Sequence, residues 1–150
     1  MKIVILGCGR VGSSFARLMY RDGHQVTVID LQSEAFRRLG TRFKGARIVG
    51  NGIDEDILRR AGIEEADVFF AATQGDNRNI MAAQIAKHVF NVPRAVARIY
   101  DPIRADRYRQ LGLTTLCTTT IAAGLMRDLV TTDEWGLAKD YSQEYLDLDV

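Results

Sequence analysis

Residues 3–12, Ile-Val-Ile-Leu-Gly-Cys-Gly-Arg-Val-Gly, constrain the fold more than any other stretch of the chain. A short apolar run stops at three glycines spaced G-x-G-x-x-G. Behind them Val11, Phe15 and Leu18 recur at helical spacing, as a helix facing a sheet requires. Strand, tight turn and helix in that order form the unit that holds the diphosphate of a nucleotide or dinucleotide. Gly7 permits the turn, Gly9 lets backbone approach the phosphates, and Gly12 lets helix and strand come close. The helix start then directs unpaired N–H groups, and the positive end of its dipole, at phosphate oxygens. A second apolar run, Gln25–Ile29, ends in Asp30, eighteen residues beyond Gly12. An acid at about that distance meets the ribose hydroxyls in such a unit.

The rest of the chain alternates strands and helices with short connections. Strands are expected at Lys2–Leu6, Gln25–Ile29, Arg47–Val49, Asp67–Ala71, Ala95–Ile99 and Thr114–Cys117. Helices are expected at Arg10–Arg21, Ser33–Gly40, Asp54–Ala61, Asn77–Phe90, Pro102–Leu111 and Ile121–Val130. Most strands are continuous apolar runs rather than alternating ones, which fits parallel strands covered on both faces. Asp22-Gly23 marks the end of the first helix, Asp54 is placed to cap the third, and Asp101-Pro102 opens the fifth. The sum is an α/β domain: a doubly wound, six-stranded parallel sheet of Rossmann-like type with helices on both faces.

Further residues fall where the strand ends would meet a ligand. Gly50-Asn51-Gly52 after the third strand suits close approach to an adenine or its ribose, and equally suits an ordinary turn before a helix. The segment from Thr73 to Asn77 follows the fourth strand. Its small polar side chains fit phosphate or ribose, although Asp76 or Asn77 fits a helix cap as well. Arg98 ends the fifth strand, where a buried guanidinium needs an anionic partner such as phosphate or carboxylate. Arg10 follows the second glycine, facing either the phosphates or an acid of a neighbouring subunit. Catalytic groups are not evident. No Tyr-x-x-x-Lys pair and no G-x-x-x-x-G-K-[ST] loop occurs, and His24 and His88 lack metal-ligand spacing. A small NAD-dependent oxidoreductase, or a fragment of one, is the alternative reading.

Composition narrows the class further. At 150 residues the chain is long enough for one substantial core. No apolar stretch approaches the roughly 18 residues of a membrane span, and the start does not resemble a secretion signal, so the expectation is a cytoplasmic protein. Cys8 and Cys117 form no C-x-x-C pair. Net charge is +1, but residues 131–150 hold six acids and one base. The basic surplus of residues 1–130 is scattered over several helices, which argues against a nucleic-acid partner. Ile121, Ala122, Leu125, Met126, Leu129 and Val130 make a broad apolar stripe, able to cover the sheet edge or to meet a second subunit. Residues 1–130 are expected to form the nucleotide-binding domain and 131–150 an acidic linker. Tyr145–Val150 alternates like a strand that leaves the domain, so the natural chain is expected to continue or to pair with another subunit.

Read together, these blocks resemble the N-terminal nucleotide-binding domains of potassium-transport regulators, the RCK, KTN or TrkA-N domains. The resemblance rests on residues 1–12, 23–30, 50–54, 66–73 and 93–98 with Asp101-Pro102, in that order. It implies binding of NAD(H) or ATP/ADP, a homodimer able to build rings, and a membrane potassium transporter or channel subunit as partner at the inner face of the cell membrane. It assigns Gly7, Gly9, Arg10, Val11 and Gly12 to the phosphates and Asp30 to the adenosine ribose. Asn51 and Gly52 fall beside the adenine, and Thr73 and Arg98 on the nicotinamide or terminal-phosphate side. Where such domains often carry a cation-holding glutamate, this chain has Thr118-Thr119-Thr120, so no metal is expected.

Overall fold

The computed structural model describes residues 1–132 and Gly136. The strands are β1 (Lys2–Leu6), β2 (Gln25–Asp30), β3 (Ala46–Val49), β4 (Val68–Ala71), β5 (Arg94–Arg98) and β6 (Thr114–Leu116). The helices are α1 (Arg10–Arg21), α2 (Glu55–Arg60), α3 (Asp76–His88), α4 (Pro102–Gln110) and α5 (Thr118–Thr131). Strand order is β3-β2-β1-β4-β5-β6 in one six-stranded sheet, and each pairing from β3 to β5 is parallel. The order reverses between β1 and β4, the place where doubly wound sheets open a crevice at their carboxyl ends. The chain forms two compact units, Met1–Arg98 and Ile99–Val150.

In the first unit, Ile3, Val4, Ile5 and Leu6 of β1 are buried one after another. Successive strand side chains point to opposite faces, so both faces of β1 are covered. Phe69 and Phe70 of β4 behave the same way, and Phe15 of α1 meets Phe70 edge-on at 5.0 Å between ring centroids. Small residues carry the close helix contacts: Gly12, Ser13 and Ala16 on α1, and Ala82, Ala83 and Ala86 on α3. Leu18 departs from the expected sheet-facing side of α1 and is 45% exposed. The buried stripe of α1 runs through Gly12 and Ala16 instead, because only small residues fit that approach. Ser33–Leu39 is a 3-10 helix rather than an α-helix. It has no capping side chain and buries only Ala35 and Leu39, so little favours the wider α spiral. A further 3-10 turn, Ile63–Glu65, had no counterpart in the sequence reading.

In the second unit, Asp101 caps α4 by accepting from the Arg104 N–H at 2.9 Å, with Pro102 at the first helical position. Helix α5 begins at Thr118, three residues before the apolar stripe. Its threonines are accommodated because their hydroxyls find carbonyls, Thr119 donating to Tyr100 O at 2.7 Å and Thr120 to Cys117 O at 3.1 Å. The stripe itself points outward. Met126, Leu129 and Val130 are 66%, 48% and 85% exposed, while Thr120 and Asp128 are buried. The strand expected at Tyr145–Val150 lies outside the described residues. Among the described residues no helix is long and apolar enough to cross a membrane.

Candidate nucleotide-binding site

The glycine turn closes β1 onto α1 with main-chain atoms. Gly7 adopts φ +99° and donates its N–H to Ile29 O at 2.7 Å. A Cβ at Gly7 would stand 2.9 Å from the Ala72 carbonyl carbon and 3.0 Å from Thr73 N, so the β1 and β4 loops touch where strand order reverses. At Gly12 a Cβ would overlap the Gly7 carbonyl oxygen. At Gly9 the same addition meets nothing within 4 Å. Gly9 is also the N-cap of α1 and brings no side chain to the helix start. The first turn of α1, with the N–H groups of Arg10, Val11 and Gly12, thus carries no side-chain cap, as anion binding at a helix start requires. Arg10 is exposed, and among the described residues its guanidinium makes no ion pair.

Asp30 is fastened to this loop. One carboxylate oxygen accepts the Cys8 N–H at 2.6 Å and the other accepts the Gln32 N–H at 2.9 Å. A carboxylate offers roughly four acceptor positions, so two remain for hydroxyl groups. The Cys8 thiol is fully buried and donates to Ala35 O at 3.3 Å. Burial first, and the Asp30 charge second, push its pKa up to about 11. A thiol so placed fills space and is not a nucleophile at neutral pH.

The third-strand loop sits beside Asp30. Asp30 and Val49 are register partners, and the Gly50 N–H donates to Asp30 O at 2.9 Å. Gly52 is buried tightly against Leu6, while Asn51 is exposed and accepts the Asp54 N–H on its main-chain oxygen at 3.0 Å. Asp54 caps α2 as its position foretold, accepting from Asp56 N at 2.9 Å. Leu31 and Val49, each 52% exposed, flank the acid with apolar surface. Neither was singled out by sequence reasoning, because Val49 reads as strand core and Leu31 as an ordinary loop residue.

The fourth- and fifth-strand ends are joined by side chains. Arg98, 6% exposed, donates from Nη2 to the Thr73 carbonyl at 2.7 Å. One partner of this buried guanidinium is thus a main-chain carbonyl. Asn79 on α3 is fully buried and binds the whole group. Its Oδ1 accepts from Thr73 N at 2.8 Å and from Thr73 Oγ1 at 2.7 Å. Its Nδ2 donates to Thr73 O at 3.0 Å and to Arg98 O at 2.8 Å. Sequence reasoning missed Asn79. The available signal was an amide at the register of Ile80, Ala83 and Ala86, on a helix face otherwise apolar. Neither Asp76 nor Asn77 is the cap of α3, a position that Gly75 holds.

Residues 3–119 match the family model described as the TrkA-N domain. The Trk system potassium uptake protein TrkA of Streptomyces coelicolor is 52% identical over 126 residues, covering 84% of this chain and 56% of that protein. Other curated relatives carrying the same name, some as homologues, are also matched over less than two thirds of their own length. Among solved structures, GsuK bound to ADP superposes with a TM-score of 0.74 at 23% identity, covering 89% of this chain and 34% of that one. The GsuK channel bound to NAD gives 0.67 at 17%, covering 83% and 22%.

Proposed function

The chain belongs to the TrkA-N domain family, and on that premise we propose that it is a nucleotide-sensing regulatory domain of a potassium uptake system or channel. In this reading it carries out no chemistry of its own and acts at the inner face of the membrane. The observation that carries it is the loop of Gly7–Gly12 with the Asp30 carboxylate lashed to it, two acceptor positions still open. The diphosphate of NAD(H), ADP or ATP would lie against the N–H groups of Arg10, Val11 and Gly12, with Gly7 and Gly9 giving clearance and the Arg10 guanidinium adding charge. Asp30 would accept the adenosine ribose hydroxyls. Leu31, Val49, Asn51 and Gly52 would border the adenine, and Thr73 and Arg98 the far end of the ligand. The uptake proteins among the relatives, and the GsuK structures with ADP and NAD, support this assignment of ligand class.

A ligand gates a partner only through unequal affinity for two arrangements of the assembly. We assign the second subunit to α5, whose outward Met126, Leu129 and Val130 invite a homodimer partner, with rings of dimers beneath the membrane protein as the larger assembly. Leu125→Asp combined with Leu129→Asp should convert a dimer to a monomer by light scattering, and an unchanged mass would remove α5 from that role. For the nucleotide, calorimetry should find NADH bound at least about tenfold more tightly than NADPH, since a 2′-phosphate beside Asp30 is repelled. Asp30→Ala should erase that ratio. Equal affinities in the unaltered protein would refute the ribose assignment.

A further inference from the structure

We propose that a cleft between α1 and the segment leading from the Ser33–Leu39 turn into β3 binds an aliphatic anion, an alkyl phosphate or carboxylate, independently of the nucleotide crevice. The cleft has a volume of about 570 Å³, within the roughly 300–1,000 Å³ usual for small-molecule sites. Its floor is apolar: Leu39 and Phe43 are buried there, and the Tyr20 ring lies 5.1 Å from that of Phe43. Leu18, displaced from the sheet-facing side of α1, forms part of the wall.

Three guanidinium groups surround this apolar surface, those of Arg17, Arg21 and Arg42. Arg21 is paired with Asp22 at 3.1 Å. Among the described residues Arg17 and Arg42 make no hydrogen bond or ion pair, and no carboxylate lines the cleft. Gathering like charges around apolar surface is unfavourable unless an anion neutralises them, and the planar fork of arginine suits phosphate and carboxylate oxygens. Ser14, Arg17, Leu18 and Arg21 follow one another at helical spacing, so one stripe of α1 supplies both the charge and the apolar contact. An anionic head among the arginines with a hydrocarbon body over Leu18, Leu39 and Phe43 satisfies both halves of the surface. Inorganic phosphate would satisfy only one.

Calorimetry of the full chain with octyl phosphate and with inorganic phosphate tests this. Octyl phosphate should bind at least about tenfold more tightly, and Arg17→Ala and Arg42→Ala should each weaken it roughly tenfold while leaving ADP affinity within about twofold. Leu18→Glu, at an exposed position, should abolish the preference for the alkyl chain without unfolding the protein. Flotation with phosphatidylglycerol vesicles, lost in the double arginine variant and absent with phosphatidylcholine, would identify a membrane-resident lipid as the source. Octyl phosphate binding without flotation would identify a soluble anion. Equal binding of octyl and inorganic phosphate, or unaltered binding by the variants, would overturn the proposal. So would a change of oligomeric mass in Arg17→Ala, which would mean that protein covers the cleft. The ADP titration reads the nucleotide crevice separately, so failure of one site is distinguishable from failure of the other.

Discussion

The two sides of the candidate nucleotide crevice are built from different materials. The β1 side is made of main chain, where absent side chains at Gly7 and Gly12 let strand, loop and helix close on each other. The β4–β5 side is made of side chains, with Asn79 and Arg98 converging on Thr73. At Gly7 and Gly12 the backbone side tolerates no added atom, whereas a side-chain site tolerates no missing hydrogen bond. The first fails by collision and the second by leaving buried polar groups without partners.

Each side can be broken in its own way, and the largest loss should come from the polar one. Asn79→Leu keeps the volume but removes four hydrogen bonds, to Thr73 N, Thr73 Oγ1, Thr73 O and Arg98 O, and should cost about 4 kcal/mol in urea unfolding, at about 1 kcal/mol for each bond lost. A loss below about 1 kcal/mol would mean that water replaces the amide and that the contrast is overstated. Gly12→Ala comes next, at about 3 kcal/mol, because the new methyl group must displace the Gly7 carbonyl. Nucleotide affinity should fall with it.

A smaller effect lies beneath the loop and depends on pH. The Cys8 thiol ionises near its ordinary value, 9.0, when unfolded and at about 11 when folded. The folded state therefore holds the proton more tightly, and its contribution is complete below pH 9 and lost as pH rises through 11. About 2–3 kcal/mol should disappear across that interval. Cys8→Ala should lack this component, and identical pH profiles for the two proteins would argue that the loop opens readily to solvent. Smallest of all, Gly9→Ala should change stability by less than about 0.5 kcal/mol, because nothing occupies the direction of the added methyl. Its effect on ADP affinity then isolates the ligand's own approach to the backbone.

The contrast also explains what could be read from the chain. Glycine spacing is local, so the β1 turn, the position of Asp30 and the caps at Asp54 and Asp101 were legible from short stretches of sequence. Asn79 was not, since its partners stand six and nineteen residues away and nothing local distinguishes it from neighbouring Asn77. Exposure was the other hidden quantity. Leu18 and Val49 carry the periodicity of core residues, yet both are open to solvent. On α5 the apolar stripe was visible in sequence, but not that Thr120 and Asp128 would take the inner positions. The straight α-helix expected at Ser33–Gly40 failed for a related reason: pattern reveals an apolar face but not how tightly the chain winds to present it.

The double tether on Asp30 has a kinetic consequence. With each oxygen already held by an amide, of Cys8 and of Gln32, the carboxylate is immobilised before any sugar arrives. Ordering it is no part of the association barrier, so capture of adenosine at this end should proceed in a single fast phase. A slow step in stopped-flow traces would then originate away from Asp30.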